Sequence, residues 1–123
     1  MSTKLLREGQ QTNLEGYLDR GGECPFQGFV GGLQRFEKAR LWRLLDRIAD
    51  VGIPRNPELF RYEGRQVYAI KAGPVRVYCF FKPRAPRKTL VLTHGIYKKS
   101  RKMPKGELEK ALKAMNEIFS EEG

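Results

Sequence analysis

The chain has 123 residues, 40% of them hydrophobic, and carries a net charge of +10. That length suits one compact core rather than two. No apolar run approaches the ~18–20 residues of a membrane helix, and the polar start MSTKLLREGQQ lacks the apolar centre of a secretory signal, so a soluble, cytoplasmic protein with no membrane partner is expected.

Residues 1–32 carry the weakest periodicity and read as an N-terminal extension of undefined role. Residues 12–18 (TNLEGYL) suit a short strand with Leu14 and Leu18 apolar, and 19–23 (DRGGE) suit a turn. The glycine-rich aromatic stretch 24–32 (CPFQGFVGG) suits a loop or a short helix. The first strong element follows. Leu33, Phe36, Leu41, Leu44, Leu45 and Ile48 recur at helical spacing, with Arg40, Arg43, Asp46, Arg47 and Asp50 opposite. Gly52 and Pro54 supply its stop.

The period then falls to two. Residues 65–72 (RQVYAIKA) predict a strand and AGP a tight turn. In 75–82 (VRVYCFFK), Val75, Val77, Cys79 and Phe81 share one face, and Arg76, Tyr78, Phe80 and Lys82 the other. A basic, proline-containing turn (KPRAPRK) leads to 89–97 (TLVLTHGIY), where strict alternation puts His94 with Leu90, Leu92 and Ile96. A helix is expected from about Pro104, with Leu108, Ala111, Leu112, Met115, Ile118 and Phe119 as its apolar stripe. This order predicts one small α+β domain over residues 1–123. Helices cover one face of an antiparallel sheet, made of a three-stranded meander plus a possible N-terminal strand.

The charge is unevenly placed. Between Gly64 and Gly106 stand twelve Lys and Arg and no acidic residue, while the rest of the chain sums to −2. So concentrated a positive field suits a polyanion, nucleic acid first. Cys24 and Cys79 belong to no ligand cluster, and with one histidine in the chain neither a metal site nor a cofactor is expected. The acid-free block also lacks the carboxylates of glycosidases and two-metal nucleases.

Basic residues, tyrosine and histidine can cleave RNA without metal. The 2′-hydroxyl attacks its own phosphate, a base takes its proton, an acid protonates the 5′-oxygen, and cations hold the charged phosphate. Arg76, mid-strand between Val75 and Val77, suits the phosphate clamp, and Lys71 across the tight turn can share its face. His94 has two readings: general acid or base, or a core residue in an apolar phase, unless a bulge at Gly95 redirects it. Tyr97 can stack on a base or act as an acid. Lys98, Lys99, Arg101 and Lys102 can grip phosphates.

The stretch RQVYAIKAGPVRVYCFF, the basic turn and LVLTHGIYKKSRKMPKGELEKAL closely resemble the HigB-like, phage-derived branch of the RelE/ParE toxin superfamily. The resemblance covers roughly residues 33–118. Lys71 stands where that family usually has Arg, and Val75 where an aromatic often precedes the Arg. The resemblance implies a RelE-like fold and the toxin of a type II toxin–antitoxin pair, an endoribonuclease that cleaves mRNA on the ribosome. Its partner would be a cognate antitoxin, often a helix-turn-helix protein. It also implies a phosphate-binding Arg76, with His94, Tyr97 and the 98–102 run near the active surface. Two other readings stay open. One is a ParE-like toxin that binds a protein target such as gyrase, and the other is a non-catalytic basic nucleic-acid-binding protein.

Overall fold

The structure, a computed structural model, describes residues 3–98 and 106–122. Its elements in chain order are β1 (Thr3–Arg7), β2 (Asn13–Tyr17), α1 (Pro25–Gly31), α2 (Arg35–Asp50), β3 (Phe60–Gly64), β4 (Val67–Ala72), β5 (Val75–Phe81), β6 (Thr89–Tyr97) and α3 (Glu107–Glu122). The strands form one sheet in the order β1-β2-β6-β5-β4-β3.

The α+β class and the β4-β5-β6 meander are as expected. The sheet is larger than expected, though, and mixed. β3 pairs antiparallel with β4, the β1–β2 hairpin adds to the other side, and β2 runs parallel to β6. Helices cover both faces rather than one. The reason lies in β4, β5 and β6, which are apolar in both phases and so need cover on both sides. Val77, Cys79, Leu90 and Leu92 face α1 and α2, where they meet Phe26, Leu41, Leu45 and Ile48. Phe80, Val91, Val67 and Ala69 face α3, where they meet Ala111, Leu112, Met115 and Ile118. Each fully buried Leu, Ile or Phe contributes about 1.5–3 kcal/mol.

Residues 3–31 are built into this core. Leu14 is fully buried beside Leu90, its register partner on β6. The stretch 24–32 resolves as a helix. Pro25 opens α1 and Phe26 is fully buried, edge-on to Trp42 with centroids 6.1 Å apart. Arg7 pairs with Asp46 at 3.0 Å and with Asp50, fastening β1 to α2. Arg87 donates to the carbonyls of Gly9 and Gln10 at 2.6 and 2.9 Å, fastening the basic turn to the β1–β2 loop.

α2 starts with a reciprocal cap, in which the Gln34 backbone donates to Glu37 at 3.0 Å. It ends before Gly52, whose φ of +125° is costly for any other residue. Residues 65 and 66, expected to open a strand, instead make the β3–β4 turn, with φ of 53° and 72°. Among the described residues no helix is long and apolar enough to cross a membrane. The expected helix start at Pro104 lies outside the described residues.

Candidate functional site

α3 covers the Phe80–Val91 end of its sheet face and leaves the other end, around Arg76, partly open. There the antiparallel register sets Lys71 on β4 directly opposite Arg76 on β5. Lys98, just past β6, is held by its backbone N–H donating to the Pro74 carbonyl at 2.7 Å. These three cations line a small cleft of about 30 Å³ together with Arg61, Glu63 and Tyr78.

Arg76 folds over its own turn, with Nη1 donating to the Gly73 carbonyl and to the Val75 carbonyl at 3.1 Å. Lys71 lies 3.4 Å from the Pro57 carbonyl. Its pKa is lowered, first by burial and then by the positive charges of Arg76, Arg61 and Lys98. Glu63 is the cleft's carboxylate, with a mostly buried side chain 3.9 Å from the Arg61 guanidinium. It sits where the β3–β4 register shifts, and so falls out of the ladder. The cleft thus gathers four cations around one carboxylate, a net positive charge that suits an anionic ligand.

His94 faces α3, not Leu90 and Leu92. A register shift between Tyr78 and Cys79 makes Thr93 the extra residue and carries His94 to the opposite face. The redirecting bulge is thus at Thr93, one residue before the histidine. Gly95 has a different job: a Cβ there would lie 2.2 Å from the Phe29 ring, so glycine lets α1 approach β6. The imidazole stacks on Tyr78 with centroids 5.2 Å apart. Its Nδ1 lies 3.0 Å from Thr93 Oγ1, and its Nε2 lies 3.0 Å from Glu107 Oε1 at the start of α3. Burial lowers its pKa, and Glu107 opposes that shift.

Both ring nitrogens are therefore committed. A neutral ring that donates Nε2–H to Glu107 leaves Nδ1 to accept from the Thr93 hydroxyl, which then cannot donate to the Tyr78 carbonyl 3.0 Å away. Protonating the ring lets all three contacts form at once.

The other expected residues divide. Arg76, Lys71 and Lys98 converge on the cleft. Tyr97 points to the opposite face, where it sits with Phe29 and Leu33 and bonds to Glu37, which raises its pKa. Lys99, Arg101 and Lys102 lie outside the described residues. Lys82 pairs with Glu15 at 3.2 Å, and Arg87 serves the loop contact already described, so part of the basic block holds the fold together.

Sequence reasoning missed Arg61, Glu63 and Tyr78. Glu63 directly precedes the acid-free block, and its position there was the available signal. Tyr78 shares the alternating phase of Arg76, which was a signal as well.

Residues 29–116 match the family described as Phage derived protein Gp49-like (DUF891). No curated protein matches the chain. The matched segment contains every cleft residue and begins after β1, β2 and most of α1.

Proposed function

We propose that this chain, which belongs to the phage-derived Gp49-like family, a RelE/HigB-like toxin family in general, is an endoribonuclease toxin. Its substrate is mRNA, met on the ribosome. Family membership also points to a cognate antitoxin as partner. The observation that carries the reading is the pairing of Lys71 with Arg76, joined by Lys98, at the open end of the α3-covered face.

In this reading Arg76 and Lys98 hold the scissile phosphate and neutralise its added charge in the transition state. Glu63 accepts the proton of the attacking 2′-hydroxyl. The bond from phosphorus to the 5′-oxygen breaks, and that oxygen takes a proton from the Lys71 ammonium. The products are a 2′,3′-cyclic phosphate and a 5′-hydroxyl end. The lowering of the Lys71 pKa, by burial and by the neighbouring cations, favours the release of that proton. His94 acts as a positioning residue, stacking on Tyr78 and holding the start of α3 beside the cleft.

A second reading has its own support. Tyr97 faces away from the cleft and His94 is fully engaged, so neither supplies a free acid or base there. That favours a toxin that binds a protein target, as a ParE-like relative would, without cutting RNA.

Induced expression in bacteria separates the two. The first reading expects growth arrest with new 5′-hydroxyl ends inside translated mRNAs. Arg76→Ala should lower cleavage about 10²–10³-fold, the effect of losing one transition-state donor. Arrest with intact transcripts would favour the second reading and sink the first.

A further inference from the structure

α2 carries a second set of cations on a different surface. Arg40, Arg43 and Arg47 are all exposed and stand at i, i+3 and i+7, so they form one stripe about 10 Å long. The acids of the same helix have other partners: Asp46 and Asp50 turn to Arg7 on β1, and Glu37 accepts from the Gln34 backbone and bonds Tyr97. Among the described residues none of the three arginines has an ion pair. Together with Leu59, they line a cleft of about 260 Å³ against the end of β4.

The stripe runs into the first site. Lys71 lines both clefts. The Arg40 guanidinium covers the β4–β5 turn at Gly73, where a Cβ would lie 2.4 Å from Nη1. Arg76 bonds the Gly73 carbonyl from the other face. Arg40, Gly73, Lys71 and Arg76 thus form a continuous basic path around the end of the sheet.

We propose that this stripe is a second phosphate-binding track, which carries the RNA backbone from the Arg76 cleft around the β4–β5 turn and along α2. The reading rests on RNA as the ligand of the Arg76 cleft. The occupant is argued from charge: unpaired, evenly spaced guanidiniums match a polymer of phosphates, and each contact adds to the salt dependence of binding.

The test uses full-length protein and fluorescent poly-uridine, with binding measured against salt concentration in an Arg76→Ala background so that cleavage of the probe is suppressed. Replacing Arg40, Arg43 and Arg47 with Gln should weaken binding by more than tenfold. It should also flatten the slope of log K against log salt by about 2, since each single-strand phosphate contact contributes roughly 0.7. Replacing Lys4, Arg20 and Lys113 instead, for the same loss of charge elsewhere, should change the slope by well under half as much. Circular dichroism checks that both variants fold.

Equal slopes for the two variants would overturn the track, leaving only net charge. So would an unchanged RNA slope with loss of antitoxin binding, which would make the stripe a protein interface. The two proposals fail separately. If the stripe governs the slope but the wild type cuts no RNA, the ribonuclease reading fails and the track stands. If the wild type cuts RNA and the stripe has no effect on the slope, the track alone fails.

Discussion

His94 is the chain's single histidine, so one imidazole signal reports its state without ambiguity. Burial makes the folded ring bind its proton more weakly than the unfolded chain does. The stability that comes from keeping it neutral is complete above the ordinary value of 6.5. It is lost as the pH falls through that value toward the lower, folded one. An NMR titration should therefore show a midpoint below 6.5. In Glu107→Gln it should move lower still, because the opposing carboxylate is gone. A wild-type midpoint at or above the ordinary value would contradict the buried, neutral ring. The same residue shows how far local reading reaches. Its chemistry was legible, but its face was not, because one inserted residue at Thr93 reverses the phase of everything after it.

Elements are set by close approaches as much as by propensity. Gly95 on β6 lies under Phe29 of α1, and this contact sets the spacing of helix and strand. Gly95→Ala should force the two apart. Overpacking of this kind costs about 1–3 kcal/mol, and thermal unfolding should show a Tm several degrees lower. A Tm unchanged within error would mean that α1 gives way freely. The core helix α2 and the meander strands were readable from their periods, since period directly reports which side is buried. α1 stays open between a loop and a short helix on sequence alone, because a seven-residue helix with glycines at its middle and end carries too little pattern. The same holds for β3, a short edge strand whose bulge breaks its alternation.

At the scale of the whole molecule, the β1–β2 hairpin completes the sheet. β2 covers the edge of β6, Leu14 fills the core, and Arg7 and Arg87 lace the hairpin to α2 and to the basic turn. The segment that matches the family begins at residue 29 and leaves β1 and β2 behind. A fragment starting there should lose the hairpin, expose the β6 edge and fail to fold. Far-UV circular dichroism and NMR dispersion of the fragment give the check, and a dispersed, cooperative fragment would show that the hairpin is dispensable.

The amino-acid sequence by itself determined the α+β class, the central helix and meander, and the basic block with Arg76 and Lys71 opposed across a tight turn. These depend on neighbours a few residues apart, whose side-chain phase is set by backbone geometry alone. Only the tertiary structure decided that β2 joins β6 in parallel, that helices cover both faces, that Tyr97 leaves the cleft while Glu63 and Tyr78 enter it, and that Arg40 of α2 meets the β4–β5 turn. Each of these depends on a bulge or on contacts between segments far apart in the chain, where no periodicity can report the partner.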